Sequence, residues 1–138
     1  MIDDVAIRNA LEGVLGASFL EMPVGNEAAA FDPADRPFIR TRLVRLGEKT
    51  MGPYFDVATG MFEVLVHVPK DDGVEPAEAI ALRAKNCFRP VDQQLDGLVR
   101  VVEIAMLEAR PGTGVRGEGD ANWIVVPVQI DWSVEMIG

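Results

Sequence analysis

Cysteine and histidine are almost missing from this 138-residue chain: each occurs once, as Cys87 and His67. A single cysteine excludes an internal disulfide and any cysteine-based zinc cluster. Cys87 lies beside Phe88 in a helix-like stretch and reads as a small core residue. A nucleophilic thiol needs a base beside it, and the one histidine lies elsewhere, in the middle of a strand-like run. There a structural or solvent-facing place suits it better than a catalytic one. Ser18 and Ser133 have no partner histidine at a recognisable motif, and no G-x-S-x-G string occurs. The sequence therefore assigns no catalytic residue.

Basic residues are also in short supply. Thirteen Lys and Arg face 22 Asp and Glu, a net charge of −9. Dedicated binding to nucleic-acid phosphates is driven by clustered bases, and this balance argues against it. No apolar run approaches the roughly 18–20 residues that a membrane helix requires. The start Met-Ile-Asp-Asp-Val has no basic segment followed by an apolar one, so it does not read as a signal peptide, and a cytoplasmic folding environment is the default. No internal repeat, heptad pattern or low-complexity tract occurs.

What is present suits one globular domain over residues 1–138: 49% hydrophobic and 25% charged residues, near the average for folded chains. Residues 3–15 predict a helix, with Ile7, Ala10, Leu11 and Val14 on one face and Asp4, Arg8 and Glu12 on another. Asp3 and Asp4 suit its start and Gly16 its end. Residues 17–37 read as irregular, punctuated by Pro23, Gly25, Pro33 and Pro37, with room for one short strand. Residues 38–46 alternate as a strand, and 47–60 read as a long loop around Gly52 and Pro53. Residues 61–68 give the clearest strand, with Phe62, Val64, Val66 and Val68 on one face. Pro69 to Gly73 form a turn.

Pro76 suits the first position of a second helix running to about Phe88. Ile80, Ala81, Ala84, Cys87 and Phe88 point inward from it, and Arg83, Lys85 and Arg89 complement its C-terminal dipole before Pro90 stops it. Residues 98–109 and 123–134 give the last two strands. Pro127 cannot donate to a ladder, which predicts an edge position or a bulge for the final strand. The resulting class is α+β: a mostly antiparallel sheet with two helices packed on one face.

Gly112, Gly114 and Gly117 match the dinucleotide-binding string G-x-G-x-x-G. That motif requires a helix after it, and the segment beginning at Trp123 reads as a strand, so no cofactor is assigned. The insert, residues 111–122, is longer than a hairpin needs. Such loops often carry contacts, which makes Arg116, Glu118 and Asp120 candidate interface residues. Asp71, Asp72 and Glu75 lack the spaced oxygen ligands of a calcium loop and read as turn and helix entry, so no metal is assigned. Arg36, Arg40, Arg42, Arg45 and Lys49 gather in one short stretch. On an acidic chain such a patch suits contact between copies, with Arg40, Arg42 and Arg45 as candidates, and is equally compatible with an ordinary solvated strand face.

The chain resembles the phage tail terminator family. The resemblance rests on the N-terminal helix, the irregular stretch holding Gly25-Asn-Glu27 and Phe31-Asp-Pro33, and the strand opening at Pro37-Phe-Ile-Arg-Thr41. It continues through Gly60-Met-Phe-Glu-Val-Leu-Val66, a turn and a helix, and ends in Trp123-Ile-Val-Val-Pro-Val128. It covers nearly the whole chain. It implies a tail-terminator-like α+β fold and a virion structural protein without catalytic residues, assembled in the host cytoplasm and located at the head–tail junction. The implied assembly is a homo-oligomeric ring, a hexamer, that caps the tail tube, meets head–tail connector proteins and lets DNA through without specific binding. Readings of a neck or head-completion adaptor, another minor tail protein, or a small nucleotide-binding enzyme are the alternatives.

Overall fold

The structure, a computed structural model, describes residues 4–20, 22, 24–26, 37–53, 55–89, 94–95, 99–112 and 123–137. Its elements run α1 (Asp4–Ser18), β1 (Val24–Asn26), β2 (Phe38–Gly52), β3 (Phe55–Pro69), α2 (Val74–Lys85), β4 (Gln94–Leu95), β5 (Val99–Met106), β6 (Arg110–Gly112) and β7 (Trp123–Ile137). All strands join one sheet in the order β1-β2-β3-β7-β5-β4, with β6 also on β7. Pairing is antiparallel throughout except for β1, which runs parallel to residues 39–41 of β2. The expected class is thus the observed one, with β1 as the short strand for which residues 17–37 left room and β4 and β6 added.

Alternation decides which sheet face is buried. Cross-strand rows Ile39–Val66–Val126, Thr41–Val64–Val128 and Leu43–Phe62–Ile130 carry side chains to one face, and Trp132 and Val134 extend it beside Val101 and Val99. Both helices cover this face and share its core. α1 contributes Ile7, Ala10, Leu11 and Leu15, and α2 contributes Ala77, Ala81 and Ala84. Alanines at that spacing make a smooth stripe, which lets α2 lie directly on β3, β5 and β7. Each large apolar side chain buried here stabilises the fold by about 1.5–3 kcal/mol.

Several boundaries differ from the sequence expectation. α1 continues past Gly16 to Ser18, and Phe19 N–H still bonds the Leu15 carbonyl at 2.9 Å. The cause lies in packing. Phe19 is buried, with the Arg83 guanidinium 4.2 Å from its ring centre, and Arg83 also donates to the Ser18 carbonyl. α2 starts at Val74, so Pro76 is its third residue rather than its first; no N–H is lost there, because first-turn donors have no intrahelical acceptor. Gly73 precedes it at φ 88°, a backbone region in which side chains with a Cβ are strained.

The loop expected at residues 47–60 is instead the distal half of a β2–β3 hairpin, whose last pair is Gly52 with Phe55. Its alternation is invisible in sequence because residues 46–50 are exposed, so neither strand face there demands apolar residues. Cross-strand bonding holds it: Thr50 Oγ1 donates to Asp56 Oδ1 at 2.9 Å, and residues 55–58 also pair with the end of β7.

Of the two places expected for Pro127, an edge or a bulge, the edge is excluded, since β7 lies in the sheet interior between β3 and β5/β6, and the irregularity remains. The accommodation is local. β5 pairs with β7 as far as Val128, β6 resumes at Val125, and residues 107–109 leave the ladder opposite Pro127. On that side Pro127 offers only its carbonyl, which accepts from Leu107 N–H at 2.9 Å. The interruption needed by the missing N–H is therefore built into the neighbouring strand.

Candidate interaction surface

The sheet face away from the helices has two halves. At one end Phe38, His67, Val125 and Pro127 are buried. His67 stacks on Phe38 with ring centres 4.3 Å apart, and Trp123 meets Phe38 edge-on at 5.1 Å. His67 Nδ1–H donates to the Leu65 carbonyl at 3.1 Å, which fixes the proton of the neutral ring on Nδ1. Burial lowers its pKa to about 4; the Leu65 bond opposes this, and the cations Arg40 and Arg110 add to it. Its place is structural, as the sequence suggested.

The other half is polar and carries both signs. Arg42 lies beside Glu63, followed in the same cross-strand row by Gln129 and Ala105, and the next row holds Val44, Met61, Asp131 and Glu103. Arg42, Glu103 and Ala105 are exposed, the remainder half-buried.

The candidate arginines do not form one patch. Arg40 and Arg42 belong to this helix-free face. Arg45 belongs to the opposite one, where it reaches Asp4 of α1 and, at 2.9 Å, Glu48. Nearby, the buried Thr41 hydroxyl donates to Glu12 Oε1 at 2.7 Å, a second polar tie between β2 and α1. Arg116, Glu118 and Asp120 lie outside the described residues.

The sheet edges are a feature that the sequence did not point to in detail. The outermost strands β1 and β4 have three and two residues. Each covers only one end of the longer strand beside it, so among the described residues most of the rim belongs to β2 and β5. Both carry a register irregularity, at Leu46 in β2 and at Val102 in β5. Both of those residues are exposed, at 69% and 46%.

Elsewhere little chemistry gathers. Cys87 is half-buried, with its Sγ–H on the Arg83 carbonyl at 3.2 Å. A hollow of about 290 Å³ lies among Lys70, Val74, Arg110, Pro111, Trp123 and Ile124. No group of His, Cys, Asp and Glu among the described residues is arranged to hold a metal ion. Gly112 of the glycine string lies in β6, Gly114 and Gly117 lie outside the described residues, and the next described element is β7.

Comparison with known proteins agrees with this picture of a packed scaffold. The phage tail terminator protein family matches residues 6–132. One solved structure aligns with a TM-score of 0.69 and 25% identity, covering 97% of this chain and 96% of its own. Another, a chain from the virion of a native gene transfer agent particle, shares the fold with a TM-score of 0.53 and 16% identity, over 93% of this chain and 84% of its own. No curated protein matches the chain. With the family match running from α1 to Trp132 in β7, this chain belongs to the phage tail terminator protein family and is a structural protein of the phage virion.

Proposed function

We propose that this chain is the tail terminator of a long-tailed phage, prophage or phage-derived particle. Copies close into a ring, a hexamer on the family resemblance, which caps the growing tail tube and offers the surface to which the filled head joins. The observation that carries this reading is family membership across residues 6–132. The mixed-sign half of the helix-free face supports it, because opposed charges set in rows favour ordered contact with a protein surface over binding of a small polar ligand.

In this reading residues 1–138 act as one domain. Arg40 and Arg42 contact a neighbouring subunit or tail protein, and Arg45 fastens the β2–β3 hairpin to α1. Arg116, Glu118 and Asp120, between β6 and β7, belong to the same contact set. The partners are the tail tube protein on one side and head–tail connector proteins on the other. A ring of chains each carrying a net charge of −9 lets DNA pass without holding it.

Measuring the mass of the purified protein across concentration and salt, alone and with tail tubes, tests the proposal. A closed ring whose stability responds to salt is expected. Strictly monomeric protein at high concentration, with no binding to tubes, overturns it.

A further inference from the structure

The entry to α2 makes two local demands on the chain. Gly73 joins the short 3-10 turn Lys70–Asp72 to the helix at φ 88° and ψ 176°, a backbone region open in practice to glycine alone. The residue before it lies at the helix N-terminus, where negative charge is favoured, and Asp72 supplies it. Together these demands set an aspartate directly before a glycine, the pair in which a main-chain nitrogen most readily reaches the preceding side-chain carboxyl. No Cβ shields that nitrogen, and the space where one would stand is empty to 4 Å. Asp72 is exposed, and among the described residues its carboxylate has no hydrogen-bond or ion-pair partner. The Gly73 N–H is held by the Lys70 carbonyl at 3.3 Å, longer than an ordinary N–H···O bond. The other Asp-Gly pair of the chain, Asp96–Gly97, lies outside the described residues.

We propose that Asp72–Gly73 is a site of spontaneous isomerisation, with the chain itself supplying both reacting groups. The Gly73 nitrogen bonds to Asp72 Cγ and gives up its proton, the carboxyl gives up its hydroxyl, and the two leave as water. The product is a cyclic succinimide, and its hydrolysis takes one water back. Opening at the side-chain carbonyl restores aspartate. Opening at the main-chain carbonyl gives isoaspartate, with no change in mass or oxidation state. The main chain then runs through Cβ and Cγ and is one carbon longer between Asp72 and Gly73. That extra length is confined, because Val68 before the turn and Ala77 after it are both fully buried. Isomerisation therefore loosens the first turn of α2 against the sheet. Nothing in this chemistry depends on ring formation.

The test holds the full, folded chain at physiological temperature in water enriched in oxygen-18, because each passage through the succinimide inserts one solvent oxygen. Tryptic digestion in ordinary water isolates residues 71–83, and fragmentation separates Asp71 from Asp72. Heavy oxygen is expected to accumulate at Asp72, together with a second form of this peptide that has the same composition and a shifted retention. Asp72→Glu is expected to abolish both, because its longer side chain would have to close a larger ring. Heavy oxygen absent from Asp72 in the folded chain, while the urea-unfolded chain takes it up, would show that the turn shields the pair and overturn the proposal. Heavy oxygen at Asp71 alone would overturn it as well.

A second measurement reads the consequence for the fold. On the same ageing the parent should lose more melting temperature than Asp72→Glu, by an amount that grows with the isoaspartate formed. Equal losses in the two proteins, with isoaspartate present at Asp72, would overturn its effect on α2.

Discussion

Acidification should weaken this fold through His67 before the bulk of its carboxylates titrate. The histidine pKa is held near 4 in the folded chain, against 6.5 when unfolded. Between those values the unfolded chain binds the extra proton and the folded one resists it, so stability falls as pH falls. The contribution is intact above pH 6.5. It declines by about 2 kcal/mol at pH 5 and about 3 kcal/mol at pH 4, where the curve flattens. That is a large share of the 5–15 kcal/mol typical of a domain. Urea unfolding at pH 7, 6 and 5, comparing the parent with His67→Phe, isolates the effect. Phenylalanine keeps an aromatic ring against Phe38 and removes the titration. The difference between the two proteins should narrow or reverse by about 2 kcal/mol from pH 7 to 5. Parallel pH profiles would refute the argument that burial of His67 costs the fold its charged form.

Other substitutions probe the packing and the polar ties. A Cβ on Gly60 would lie 2.2 Å from the Val44 carbonyl oxygen and 2.3 Å from the Trp132 ring, so Gly60→Ala should lower stability by about 1–3 kcal/mol or more in a denaturant titration. Adding Trp132→Phe should recover only part of that loss, because the Val44 backbone still obstructs. Thr41→Val leaves Glu12 without its 2.7 Å donor in a half-buried place and should destabilise by about 1.5–3 kcal/mol, while Thr41→Ser loses less. Replacing residues 114–119 with a short turn should leave the melting temperature nearly unchanged, because Gly112 and Trp123 are already paired. Assembly of that variant, read by native mass measurement, should fail; intact assembly would make the segment a spacer.

The legibility of this fold followed burial. Strand 61–68 could be read because one face meets the helices and must be apolar at every second residue. The α2 stripe was equally plain in Ala81 and Ala84. The distal hairpin was missed because Gly47, Glu48, Lys49 and Thr50 face water, so backbone pairing holds it and leaves no hydrophobic trace. Pro127 left edge and bulge both open for a related reason: the break that accommodates it lies in residues 107–109, remote in sequence though adjacent in space. Of the candidate surface, charge clustering marked Arg40, Arg42 and Arg45 but could not show that Arg45 faces the helices. Period-two alternation does, because Arg45 shares the parity of Ile39, Thr41 and Leu43 and the bulge in β2 comes only after it. Alternation could not show that β2 and β5 lie toward opposite sides of the sheet, because sheet order is a tertiary fact.

The most direct test of the central claim is electron microscopy of particles produced with and without this chain. Its loss should yield tail tubes of scattered, excessive length and filled heads without tails, with both defects restored by supplying the chain. Tails of normal, uniform length joined to heads in its absence would contradict the assignment of this protein as the ring that ends the tube.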